Sequence, residues 1–373
     1  MGSFQQTTFQ GTSNVRLPNG AINQRSSPSQ GMIRFNTQNN QDLIEFYDNG
    51  AWRPVTGFSQ GSLGTGGQST YRRNGKFVHL FTSVGNHTFT PAHSGTVQVL
   101  IVGGGGSAGY DWAGGGGGGG FVYNRAFPVT AGQGQTVTVG DRGYRNGPDA
   151  AGNRGGQSRF GNTYANGGGG GGCWNREPAR NGFLGEQPQA IGSGGGGGNG
   201  DNNRTRISEG RATPGQGFPG GSGIRFNSSG DNCHWGGGGG GAGGPGDDAP
   251  DRRQHGRNAD GGPGAATDIL GEVLYFGGGG AGGAHLGQAS YCEGGIGGGG
   301  GGAIYHGRPH KPNSNRLGQG GRQSLQNSNP WGPGNGNAYP YANGGGGQDN
   351  SGGGGGGGQF GGQGGTGVVI VAY

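Results

Sequence analysis

Residues able to do chemistry are present in this chain, but their spacing assembles no reactive group. His306 and His310 stand four apart, downstream of Cys292, a spacing that suits zinc when a helix aligns the two rings. Gly307 and Pro309 break that helix and no second Cys is near, so two solvent-facing loop histidines are expected. Gly243 to Asp248 read Gly-Gly-Pro-Gly-Asp-Asp and look like one calcium-binding nonapeptide repeat; such repeats act in tandem, and a single copy reads as a solvated acidic loop. Poly-Gly matches GxGxxG by chance, never between a strand and a helix-forming stretch, and Gly75-Lys76 is followed by Phe77 rather than Ser or Thr. Phosphate cradling is therefore not expected. Ser, His and Asp occur without a nucleophile motif or acid–base pair on a rigid support. The expectation is no enzyme, no cofactor and no metal.

A different set of residues carries the functional signal. Trp174, Arg176, Phe183, His234, Trp235, Tyr291, Tyr305, His306, His310, Trp331, Tyr339 and Tyr341 lie in polar segments punctuated by Pro, Asn and Gly. Loops on a rigid scaffold carry recognition, and Trp, Tyr and Arg dominate binding hot spots. These twelve are the candidate recognition residues. The competing reading is that such aromatics cap the ends of a glycine scaffold in place of an ordinary core; taken together, some of them are expected to be exposed.

The scaffold that must position them is unusual. Of 373 residues 108 are Gly, about 29% against an average near 7%. Leu, Ile, Val and Phe together supply only 53, too few for a conventional core. Disorder at this hydrophobicity goes with high net charge, whereas 25 basic and 19 acidic residues leave +6. The basic residues are 23 Arg and two Lys, scattered singly or in pairs, so no nucleic-acid patch is expected. Cys173, Cys233 and Cys292 are too few and odd in number for a disulfide framework, which suits assembly in a reducing cytoplasm. No apolar stretch approaches 18 residues and no basic start precedes an apolar run, so neither membrane insertion nor a secretory signal is expected.

Three regions separate by composition. Residues 1–70 are rich in Gln and Asn; Gly31 to Thr37, Leu43 to Tyr47 and Ala51 to Val55 read as strands, with Asp48-Asn49-Gly50 as a turn and 60–70 as a hinge. Residues 71–102 form a short β-unit. Residues 103–373 hold nine runs of four or more Gly, at 103–106, 114–120, 167–172, 194–198, 236–241, 277–280, 297–302, 344–347 and 352–358. A left-handed extended helix with three residues per turn makes no internal hydrogen bonds. Without side chains, many such helices can pack and bond to one another laterally, with Cα–H···O contacts adding support. The expected fold class is therefore mostly irregular and β: an N-terminal β-hairpin segment, a short β-unit, then a bundle of packed left-handed polyglycine helices with long surface loops and almost no α-helix. The two most apolar strands, 97–102 and 368–373, are expected in one sheet that closes the glycine-rich region.

The stretch Thr88-Phe89-Thr90-Pro91 through Val97 to Gly106, the return at Gln135 to Gly140, and the ending Gly364 to Tyr373 resemble the glycine-rich domain of tailed-phage tail-fibre and virion proteins. Gly31 to Thr37, Glu45-Phe46-Tyr47 and Gly50-Ala51-Trp52 look like a segment common in phage fibre and fibritin-like proteins. In the distal adhesins of this group, polyglycine helices pack into a bundle and variable loops contact the host surface. The resemblance implies a virion receptor-binding protein located on a tail fibre or other surface appendage. Its implied partners are other virion proteins, held through residues 1–70, and a host surface glycan or outer-membrane protein; a homotrimer is among the assemblies it allows. The alternative is a collar, neck-fibre or capsid-surface component with no receptor. This chain is longer than the small distal adhesins, and its N-terminal segment differs from theirs. The glycine-rich domain of certain receptor tyrosine kinases is similar in composition, but those proteins are secreted and Cys-rich.

Overall fold

Period-two alternation around an Asn-Gly pair dictates a hairpin, and glycine runs without side chains dictate lateral backbone bonding. A computed structural model describes residues 19–20, 28–36, 43–54, 64–74, 76–148, 150–173, 191–199, 206–228, 231–250, 259–285, 292–305 and 343–373. The chain divides into two units, Met1–Leu63 and Gly64–Tyr373. No α-helix occurs among the described residues.

In the first unit β1 (Asn19–Gly20), β2 (Ile33–Asn36), β3 (Leu43–Asp48) and β4 (Ala51–Pro54) form one sheet in that order. β1 runs parallel to β2 and the other pairs are antiparallel. Asp48 pairs with Ala51, which leaves Asn49 (φ 45°) and Gly50 (φ 80°) as the two-residue turn, the positive-φ pair this loop length favours. On one face Arg34 and Glu45 approach to 3.9 Å with side chains 7% and 6% exposed, and Asn36 donates its Nδ2–H to Glu45 Oε1 at 3.1 Å. Trp52 receives Arg34 over its ring and Tyr47 at its edge.

The second unit begins with β5 (Gly64–Thr65), β6 (Ser69–Arg73), β7 (Lys76–Phe81), β8 (Gly85–Pro91) and β9 (Gly95–Val102). The stretch read as a hinge thus contains a strand and the start of another. β10 (Phe121–Val129), β11 (Gln135–Val139), β12 (Ser158–Phe160) and β13 (Thr163–Ala165) follow. Further along come β14 (Arg206–Ile207), β15 (Gly223–Ser228), β16 (Asp231–Trp235), β17 (Ala265–Thr267) and β18 (Leu274–Phe276). β19 (Ala284–His285), β20 (Ile304–Tyr305) and β21 (Val368–Ala372) complete the set.

β9 and β21 are neighbours, as the apolar pattern predicts. They pair antiparallel from Val368 opposite Val102 to Ala372 opposite Gln98, within the sheet β10-β9-β21-β7-β6. A second sheet, β13-β12-β11-β8-β5, packs against it. Side chains alternate across β9: Val97, Val99 and Ile101 join Phe81, Phe89, Val137 and Phe160 between the sheets. Leu100 and Val102 point the other way, onto Ile269, Leu270, Leu274 and Phe276. Period-two alternation thus gives one strand two apolar layers.

The glycine runs lead out of these strands and bond to one another with a period of three. Gly103, Gly106 and Gly109 donate to Gly120, Gly117 and Gly114. Gly104, Ser107 and Tyr110 donate to Gly156, Asn153 and Ala150, and Gly105, Ala108 and Asp111 to Gly365, Gly362 and Gln359. All nine bonds are 2.8–3.2 Å long. Every third N–H meets the same neighbour, so the segment makes one turn per three residues, the repeat of an extended polyglycine helix. Partner numbers fall as donor numbers rise, so these three neighbours run antiparallel to it. A Cβ added at Gly116, Gly117 or Gly118 would sit closer than 3.0 Å to a backbone oxygen of Gly106, Ser193 or Gly277 respectively. Three consecutive residues thus face three different neighbours, and only Gly fits on all sides.

Candidate functional site

The hydrogen-bond registers give the bundle two ends. Gly103, Gly120, Gly156 and Gly365 lie level with one another, next to β9, β10, β12 and β21. Asp111, Ala150 and Gln359 mark the opposite, far end. The same registering places Cys173, Trp235, His285 and Ala303 there: Gly114 donates to Gly172, Gly172 to Gly196, Gly236 to Gly283, Ala284 to Ala303, and Ala303 to Gly357. The described residues from which the sequence continues into the Trp-, Tyr- and Arg-bearing segments, Cys173, His285 and Tyr305, therefore belong to the far end. Trp174, Arg176, Phe183, Tyr291, His306, His310, Trp331, Tyr339 and Tyr341 lie outside the described residues, as does the side chain of Tyr305.

At the far end β14-β15-β16-β19-β20 form a sheet. Its registers line up Arg225 opposite His234, His234 opposite His285, and His285 beside Tyr305. The two imidazoles are 5.6 Å apart by ring centroid, and Trp112 lies 5.3 Å from His285. His234 is 8% exposed. Burial first, then the nearby charge of Arg225 and His285, pushes its pKa down to about 4, so the ring is neutral at pH 7. Trp235 is buried among Ile224, Ala249, Ala259, Ala281, Ala284 and Cys292. Burial pushes the Cys292 thiol up to about 12, which keeps it protonated and unreactive.

His234 and Trp235 are both buried, which fits the capping reading for these two. β15 and β16 pair through five registered positions and carry Trp235 onto a floor rich in Ala, while His234, the next residue along the strand, meets His285. An indole can be buried there because its neighbours are small.

Exposed Arg145 and half-buried Tyr110 and Phe360 carry a signal the composition did not single out. Tyr110 and Phe360 meet edge to face with centroids 5.3 Å apart, and the Arg145 guanidinium lies 5.8 Å from the centre of the Phe360 ring. Tyr110 leads into a turn where Asp111 (φ 63°) and Trp112 (φ 54°) are both in the left-handed region. A bulky residue there is an outlier, and strain of this kind gathers at functional sites. Among the described residues, no group of three His, Cys, Asp or Glu could hold a metal ion, and no helix is long and apolar enough to cross a membrane.

A bundle of mutually hydrogen-bonded polyglycine segments, closed at one end by β-sheets and opening into interrupting segments at the other, defines a glycine-rich scaffold domain. The chain matches the family model described as a glycine-rich domain over residues 82–338, and it belongs to that family. No curated protein matches it.

Proposed function

We propose that this chain is a phage receptor-binding protein, an adhesin of the tail fibre or another virion appendage, that touches the host cell through the segments between its polyglycine helices. The observation that supports this most is the segregation of the two ends. The apolar strands gather at one end, and the described residues flanking the Trp-, Tyr- and Arg-bearing segments gather at the other, except Ile191, whose neighbour Gly192 bonds to Gly167 beside Gly120 at the sheet end. Recognition elements displayed together on a rigid support are what an adhesin needs. In this reading residues 1–70 hold other virion proteins, and the far end meets a surface glycan or outer-membrane protein. Purified protein added to susceptible cells is then expected to adsorb and to block infection competitively. Failure to adsorb to any susceptible strain, with immunolabelling at the neck or capsid, would sink this reading. The burial of His234 and Trp235 supports the second reading, a structural virion component without a receptor, and the same labelling separates the two.

A further inference from the structure

The geometry points to the Tyr110–Arg145–Phe360 surface as a preformed binding platform for an anionic saccharide; this rests on the adhesin reading and names a ligand class for its far end. Trp112 is buried against Ala303 and His285, so the turn that carries it is anchored from inside. Asp111 and Trp112 donate their backbone N–H groups to Gln359 and Gly358 at 3.0 and 2.8 Å. The strained turn is thereby pinned to the very segment that bears Phe360, and the two rings are fixed relative to one another. In a chain with 108 Gly, a left-handed position filled by Trp is conspicuous. The other described non-Gly residues with positive φ are Asn49, Asn74, Asn350 and Asp111, types that tolerate it.

Arg145 is held from the other side. Asn146 donates to Ala151 O at 2.7 Å, and Asn153 donates to Tyr144 O at 2.9 Å and to Asn146 Oδ1 at 2.7 Å. The arginine itself is exposed and forms no ion pair among the described residues. The nearby Asp349 is paired with Arg142 at 2.7 Å, and Asp141 accepts the Tyr144 hydroxyl at 2.8 Å. Two angled rings offer apolar surface to the C–H face of a sugar ring, and a guanidinium beside them offers a two-pronged donor to a carboxylate or phosphate. Order already present in the free protein removes part of the cost of binding.

The test uses the full chain on immobilised alginate, whose sugars carry carboxylates, and on neutral dextran. Wild type is expected to bind alginate in a salt-sensitive manner and dextran at least about tenfold more weakly. Arg145→Glu is expected to weaken alginate binding by about tenfold or more, Arg145→Lys by less, and Phe360→Ala by a similar order provided its thermal unfolding shows it folded. Arg159→Glu, exposed on β12 at the sheet end, should leave binding unchanged. No binding of wild type to alginate, equal binding to dextran, or full retention in Arg145→Glu would each overturn the platform. Adsorption of wild type to cells is scored separately. Adsorption that persists in Arg145→Glu removes the saccharide platform and spares the adhesin reading, whereas loss of wild-type adsorption removes that reading.

Discussion

The two ends of the glycine bundle are built by different physical means. At the sheet end Phe81, Phe89, Phe160 and Phe276 are fully buried and two apolar layers flank β9 and β21. At the far end the packing residues are mostly Ala, with Ile224, Cys292, Trp112 and Trp235, and the His234 and His285 imidazoles lie beside one another. Polyglycine helices satisfy their backbone groups only sideways, against one another, so each end needs a different solution for the last N–H and C=O groups. β-Strands continue the bonding at the sheet end. At the far end the hairpin of β15 and β16, the two-residue strands β14, β19 and β20, and turns do so.

The largest expected effect comes from the shared middle. Gly117→Val and Gly355→Val place side chains against backbone oxygens of Ser193, Gly194 and Gly362, and backbone cannot give way as a flexible side chain does. Each is expected to cost more than about 4 kcal/mol and to abolish soluble folding. Gly147→Ala, where an added Cβ meets nothing within 4 Å, should change stability by less than about 1 kcal/mol. Soluble, cooperatively unfolding Gly117→Val and Gly355→Val would refute side-by-side packing of the runs.

Next in size is a cut at the sheet end alone. Phe160→Ala empties space between the two sheets, where Phe160 contacts Phe89 and Phe127 by ring centroids 5.9 and 5.0 Å apart. A loss of about 3–5 kcal/mol in denaturant unfolding is expected. If the ends are as separate as their construction implies, the folded variant still adsorbs to cells at wild-type level. Loss of adsorption in a folded Phe160→Ala protein would show the two ends to be coupled.

Much of this was legible in the residues, for reasons that differ from place to place. The pairing of 97–102 with 368–373 was readable because both are β-branched apolar runs in a chain with few others. The Asn49-Gly50 turn was readable because only positive φ closes a two-residue hairpin well. The glycine runs announced extended helices through their segmentation, but not which run lies beside which: a residue without a side chain encodes no partner, and only the registers disclose the two ends. The burial of His234 and Trp235 was not legible, because Pro, Asn and Gly around them signal loops while the partners, His285 for one and an Ala-rich floor for the other, are distant in sequence. Tyr110 and Phe360 are single aromatics next to glycine runs, and nothing local marks them as a pair.

The smallest effect is a pH dependence that both ends share through different surroundings. His79, 2% exposed at the sheet end, donates its Nδ1–H to Gly66 O at 2.7 Å and accepts the Tyr373 hydroxyl on Nε2 at 2.8 Å. Burial lowers its pKa and outweighs the carbonyl, which acts the other way; His234 is lowered to about 4 at the far end. A histidine whose folded pKa lies below its unfolded value near 6.5 takes up its proton more readily when unfolded. Its contribution is therefore complete above about pH 6.5 and is lost as pH falls through the folded value. The thermal midpoint of wild type is expected to fall between pH 7 and pH 5, before most carboxylates titrate. His79→Gln and His234→Gln should each flatten that slope, whatever their stability at pH 7. A wild-type midpoint that stays level or rises over this interval would mean that neither imidazole is held neutral by its burial.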